Sequence, residues 1–347
     1  MTFETKLMAK FEDLSDEIII SIIEYLSLED LILIFGKLNT RLSYIIFDHP
    51  WTQHQLYLQT MDNNTLKKKL DFIENMKLTT RISLIKIRPF SIYRSIEIFN
   101  QYKPLSNFVN LQALSLNNIT LDEAESIFTS ECLSKLNNLT HLCIIFSFGI
   151  EQNNYSQRFE CLISKILIHP TFRHCIFRTA QSLEFSQLQS LSFVEYLNIN
   201  YCNFQSLYTL FKFTPYLRHL TATIATINEL KTEQISIPSS INSLKLILCI
   251  SLYDELTNFL KKFSKLQKLN IITYSIIEPL TFTSSWFKLI TEYLPSLTQF
   301  RRESNVALEN IASYVEPFHW PNGWQFNEKR IANGSNYSRV IIINTRF

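Results

Sequence analysis

The chain has 347 residues, 46% of them hydrophobic and 18% charged, which makes it globular throughout and long enough for two ordinary domains or for a small domain and a repeat array. A formal net charge of +2, with basic clusters no longer than Lys67-Lys68-Lys69, lacks the dense positive footprint of a nucleic-acid or anionic-membrane binder. Only four glycines leave no glycine-rich phosphate loop, and six cysteines without a C-x-x-C pair give neither zinc-ligand spacing nor thioredoxin-type chemistry.

The first predicted elements are short helices. Phe11-Glu12-Asp13-Leu14-Ser15-Asp16-Glu17-Ile18 opens one with Ile18, Ile22, Ile23 and Leu26 on an apolar stripe and acidic residues where the helix dipole favours them. Ser27, with Asp30 three residues later, gives a second N-cap signal. Leu31, Ile34, Phe35 and Leu38 then carry the apolar pattern into Arg41-Leu42-Ser43-Tyr44-Ile45-Ile46. Over 11–58 this stretch resembles the F-box, a helical module that docks on the Skp-type linker of cullin-RING ubiquitin ligases. The matching positions are Leu14, Glu17, Ile18, Ile22, Ile23, Tyr25, Leu26, Asp30, Leu31, Leu38, Arg41 and Trp51. Ser15 stands where the family has Pro, and Leu38-Asn39 where it has Val-Ser. The resemblance implies that Leu14, Ile18, Ile22 and Leu26 take part in docking the linker. Without it, residues 1–60 read as a helical cap over the apolar end of the segment that follows.

From Ile82 onward a frame L-x-x-L-x-L recurs, any large apolar residue being allowed at the Leu positions. Clear copies are Leu111/Leu114/Leu116, Leu139/Leu142/Ile144, Val194/Leu197/Ile199 and Leu266/Leu269/Ile271. Looser ones are Ile82/Ile85/Ile87, Phe172/Cys175/Phe177, Leu217/Leu220/Ala222, Ile241/Leu244/Leu246 and Leu297/Phe300, the last with Arg302 in the third place. Successive starts at 82, 111, 139, 172, 194, 217, 241, 266 and 297 lie 22 to 33 residues apart. Helical segments fall between frames: Leu252, Leu256, Phe259 and Leu260 share one face, and Thr120-x-x-Glu123 has the form of a capping box.

A unit of strand, turn and helix cannot cover its own apolar face, but stacking merges the Leu positions into one core. Over 82–301 the chain resembles the leucine-rich-repeat family, whose ninth-position Asn or Cys is met by Cys202, Cys249 and Asn305 but not by Phe90, Ile119, Ser147, Ala180, Ala225 or Tyr274. The expected fold class is therefore α/β: a leucine-rich-repeat solenoid over 61–311, with a curved parallel sheet and outer helices, preceded by the small all-α F-box-like module. The competing architecture is an α/β domain whose crossover helices cover both faces of a parallel sheet. Side-chain alternation points the third and fifth frame positions away from the core. That face offers His141, His174, Tyr196, His219, Lys245 and Lys268, with Arg178 beside them, as the target-binding residues. The two lysines tilt its C-terminal half toward an acidic partner.

Residues 312–347 change character. Pro317, Trp320, Pro321, Gly323 and Trp324 predict turns and aromatic packing, and Val340-Ile341-Ile342-Ile343 a strand, so a C-terminal cap is expected, an aromatic peptide-binding patch being the alternative. His169 and His174 are five apart, and neither H-E-x-x-H nor G-x-S-x-G occurs, so no catalytic, cofactor or metal site is predicted and the chain is expected not to be an enzyme. With no apolar run of roughly 18 residues and no signal-like start, a soluble cytoplasmic or nuclear protein is expected, with neither membrane nor nucleic acid as partner. The two resemblances together imply a substrate-recognition adaptor of a cullin-RING ligase. A repeat scaffold with no ubiquitin link stays open beside it.

Overall fold

The computed structural model describes residues 13–23, 25–26, 28, 31, 40–47, 49, 53–59, 63–88, 99–101, 103–147, 155–225, 237–249, 253–273, 283–306, 324–333 and 336–345. The chain divides into two compact units, 1–144 and 145–347. Trp51, Ser27, Asp30 and Leu38 lie outside the described residues, as do Leu252 and the turn residues Pro317 to Gly323.

The first unit opens with helices α1 (Asp16–Ile23) and α2 (Thr40–Phe47). Ile19, Ile20 and Ile23 of α1 and Leu42, Ile45, Ile46 and Phe47 of α2 are buried, and the two helices pack on each other. Arg41 fastens them: its Nη2 donates to the Leu14 carbonyl at 2.8 Å, and its guanidinium pairs with Asp16 at the start of α1. Strand β1 (His54–Gln59) follows, then α3 (Asn63–Asn75), β2 (Ile82–Arg88), β3 (Ala113–Ile119), α4 (Leu121–Ile127), α5 (Ser130–Lys135) and β4 (His141–Phe146), whose end crosses the boundary between the units. β1 pairs parallel with β2 and β2 with β3, and β4 neighbours β3.

β1 falls inside the stretch expected to be all helical. Its core positions His54, Leu56 and Leu58 pair with Ile82, Ile85 and Ile87, with a register shift after His54. The strand thus has one residue fewer between its first two core positions and a polar residue at the first, and it does not fit the L-x-x-L-x-L frame.

The Thr120 capping box forms: the Glu123 N–H donates to Thr120 Oγ1 at 3.2 Å, and the Thr120 N–H to Glu123 Oε2 at 2.8 Å. Two orphan donors of α4 are satisfied reciprocally. Thr120→Ala is expected to lower the stability of the first unit by about 1 kcal/mol, measured as a shift of the urea midpoint at constant m.

The second unit contains α6 (Tyr155–Leu167), β5 (His174–Arg178), β6 (Tyr196–Cys202), α7 (Phe204–Phe213), β7 (His219–Ile224), β8 (Ser243–Leu248), α8 (Tyr253–Leu260), β9 (Lys268–Thr273), α9 (Thr283–Tyr293), β10 (Gln299–Val306), β11 (Trp324–Asn333) and β12 (Asn336–Thr345). From β5 to β10 each strand pairs parallel with the next in chain order. The sheet then ends in an antiparallel hairpin in which β12 pairs with both β10 and β11.

The nine frames become β2 to β10. Every apolar frame residue is 3% exposed or less, from Ile82 through to Leu297 and Phe300. Arg302 is also buried; its guanidinium carbon lies 5.9 Å from the ring centroid of Trp286, so a cation over an aromatic face stands where the pattern calls for an aliphatic residue. Between frame residues the side chains are half-buried or exposed. One face of the sheet therefore carries the core, and on the other the described side chains are half-buried or exposed, Thr223 apart.

A backbone pattern repeats with the frames. The carbonyl of the second frame residue accepts from two successive N–H groups of the next repeat: Arg173 from Glu195 and Tyr196, Glu195 from Arg218 and His219, Arg218 from Asn242 and Ser243, and Asn242 from Gln267 and Lys268. Gln112 does the same for Thr140 and His141 in the first unit. These bonds need no particular side chain, and they form in repeats that lack the ninth-position Asn or Cys, such as those beginning at Phe172 and Leu217. Where Cys is present at 202, its thiol donates to the Thr223 carbonyl at 3.7 Å.

Candidate interaction surfaces

Helix α1 is apolar on two sides. Its inner side, Ile19, Ile20 and Ile23, is buried, so Ile23 belongs to the core and not to the stripe on which its spacing placed it. The outer side holds the residues proposed to dock a linker: Ile18 is 49% exposed, and Leu14, Ile22 and Leu26 are half-buried. Tyr25 beside them is 87% exposed, and Tyr44 of α2 is exposed as well. Ile18 and Ile22 are four apart and share one side of α1, while Leu14 and Leu26 flank the helix just outside its two ends.

The open face of the second unit's sheet collects six of the seven predicted target-binding residues. Register places His174, Tyr196, His219, Ser243, Lys268 and Gln299 in one row across β5 to β10. The His174 and Tyr196 rings stack at 5.7 Å with planes 19° apart, and Tyr196 meets His219 at 6.1 Å. The next row holds Asn198, Thr221, Lys245, Asn270 and Arg301. Arg178 ends β5 on the same face as His174 and is exposed. His141 is exposed in the first unit, where its Nδ1 lies 2.8 Å from Thr140 Oγ1. The His219 ring is held below the usual imidazole range, by burial first and then by the charge of Lys268, with His174 and Arg218 adding to it and Glu195 opposing.

Sequence reading missed the rim of this face. Phe193 and Tyr216, each the residue before its frame, are exposed and stack at 5.5 Å with planes 8° apart. The Arg173 guanidinium lies over the Phe193 ring at 5.4 Å, and exposed Leu191 is two residues away in sequence. Glu195 sits between Arg218, at 3.5 Å, and Arg173, at 4.0 Å. The signal lay one position outside the frame, where no periodicity distinguishes an exposed aromatic from a buried one.

Among the described residues no group of three or more His, Cys, Asp or Glu gathers as a metal cage, and no helix is long and apolar enough to cross a membrane. All six cysteines are free thiols; burial pushes the Cys175 and Cys202 thiols far up, which leaves them unreactive. No model of a known protein family matches the chain, and no curated protein matches it at a significant level.

Proposed function

We propose that the chain works by binding alone, as a substrate-recognition adaptor of a cullin-RING ubiquitin ligase in the cytoplasm or nucleus. An F-box-like front docks the Skp-type linker through Leu14, Ile18, Ile22 and Leu26. A leucine-rich-repeat solenoid presents its open sheet face to a target protein. The observation that carries this reading is the outer side of α1: while Ile19, Ile20 and Ile23 are buried, Ile18 and the nearby Tyr25 are exposed and Ile22 is half-buried. Covering that side with a partner groove recovers roughly 25 cal/mol per Å² of apolar surface.

The test is capture of purified Skp-type linker by the full chain and by its Ile18→Asp variant. Ile18 is exposed, so the variant keeps its fold, which an unchanged melting temperature would establish. Capture is expected to weaken by about tenfold or more, as for loss of an interface anchor of about 2 kcal/mol. Equal capture by both proteins removes the linker from the proposal.

One observation favours a second reading, in which the front helices only cap the sheet of a repeat scaffold. β1 extends the parallel sheet into the front stretch, so that stretch is joined to the sheet. On that reading the chain captures no linker at all, with or without the substitution.

A further inference from the structure

We infer that the rim and open face formed by β5 to β10 hold an extended acidic peptide segment, one apolar side chain of which seats on Phe193 and Tyr216. The inference deepens the target-binding half of the proposed function and does not depend on linker docking.

Two independent features meet at this surface. The first is a built apolar rim. Tyr216 is 52% exposed, and Phe193 and Leu191 are exposed with it, yet their backbone is pinned: the Ser192 N–H donates to the Phe213 carbonyl at 2.7 Å, and Val194 and Leu217, the residues following the two rings, are wholly buried. The rings hold each other, and Arg173 holds Phe193, so a ligand meets aromatic surface already fixed in place and little ordering entropy is lost on binding.

The second feature is charge. Arg178, Lys245 and Lys268 lie on this face, Arg173 and Arg218 stand at its edge immediately before β5 and β7, and among the described side chains there Glu195 is the one carboxylate. The chain as a whole is almost balanced, at 33 cationic against 31 acidic residues, so the excess is local to this face. Glu195 is shared by Arg173 and Arg218, so among the described side chains of the face it does not answer the charge of Arg178, Lys245 and Lys268. Opposite charge in the ligand is the complement such a surface selects.

A single-stranded nucleic acid also suits cations and aromatic rings, but the details favour a peptide. The Phe193 ring stacks on Tyr216 and lies under Arg173. Glu195 would face an approaching phosphate backbone. The cations alternate with Asn198, Thr221, Ser243 and Asn270, side chains that match the donors and acceptors of a peptide backbone.

Fluorescence polarisation on the full chain tests this with four probes: a short peptide with one central Phe between runs of Asp and Glu, the same peptide with Ser for Phe, its Lys/Arg counterpart, and oligouridine RNA. The acidic Phe peptide is expected to bind at least about tenfold more tightly than the basic one, and to weaken as salt rises. Ser for Phe should cost severalfold. A Phe193→Ser/Tyr216→Ser variant should lose the preference for Phe while still discriminating by charge. Lys268→Glu/Arg218→Glu should weaken both acidic peptides. All four residues are exposed, and melting curves check that the variants fold. Equal binding of acidic and basic peptides, no saturable binding at millimolar peptide, tighter binding of the RNA, or variants that bind like the parent would each overturn the inference. Linker capture is measured on the same preparations. Capture without peptide preference overturns this inference alone, and peptide preference without capture overturns the ligase reading alone.

Discussion

Replacing Phe259 by Ala is expected to destabilise the second unit by about 3–5 kcal/mol, the usual range for emptying a buried Phe site. Phe259 lies on α8, has no exposed surface, and is surrounded by rings: Phe204 at 4.7 Å, Phe263 at 5.0 Å, Tyr208 at 5.5 Å and Phe211 at 6.2 Å. Three of those four belong to α7, so one side chain ties the helices of two repeats together. The cluster is dry enough to push the Tyr208 hydroxyl up to about 12, and the Lys262 ammonium sits 4.3 Å from the centroid of that ring. Truncation removes every ring contact at once, and the surrounding rings, held by their own helices, cannot collapse into the void. Buried Trp286 reports on the same unit, so urea unfolding followed by its fluorescence reads the loss. Phe259→Leu keeps most of the volume and should cost clearly less. Asn258→Ala, one residue away and exposed, should stay within about 0.5 kcal/mol. A Phe259→Ala loss below about 1 kcal/mol would mean that the two helices are not joined through this residue.

The repeats were legible because burial on one face of a strand forces an alternating pattern, and stacking forces that pattern to recur. Leu111, Leu139, Leu217 and Leu266 all begin frames whose residues reach the core. The open-face rows were legible for the same reason, since His174, Tyr196, His219 and Lys268 alternate with buried neighbours. The ends of the array were harder. β1 hides because His54 and a missing residue break the frame, and β11 because its sequence, WQFNEKRIAN, has few apolar residues and follows a Pro- and Gly-containing stretch that reads as turns. In α1 the period itself is ambiguous: Ile18, Ile19, Ile20, Ile22 and Ile23 surround the helix, so spacing could not say which isoleucines face the core. Packing decides it, with Arg41 tying the start of α2 to Leu14 and Asp16. The Phe193–Tyr216 rim depends on loop geometry between repeats, which carries no periodic signature at all.

His54 should make the first unit acid-labile. The side chain is 0% exposed, neither ring nitrogen has a hydrogen-bond partner, and it occupies a core position opposite Ile82. Burial, with the nearby charge of Arg81 acting in the same direction, pushes the imidazole down to about 4 from 6.5, and a weak interaction with the backbone of Ile46 opposes the shift without reaching hydrogen-bond geometry. Desolvation dominates because the neutral ring is far cheaper to bury than the imidazolium. The sign follows from which state binds the proton first. As pH falls through 6.5 the unfolded chain takes it up, while the folded chain does not until about 4. The stabilisation is complete above the first value, declines between the two, and is gone below the second; its full size is about 3 kcal/mol. Denaturant midpoints of the parent and of His54→Leu, measured from pH 7 to pH 4, isolate this group from the other six histidines. The parent should lose about 3 kcal/mol more than the variant over that span, with the variant at least as stable as the parent at pH 7, because Leu puts an apolar side chain at a fully buried position and removes two unsatisfied nitrogens. Parallel pH profiles for the two proteins would show that His54 takes up its proton in the folded state as readily as in the unfolded one, and that its site admits water or a partner.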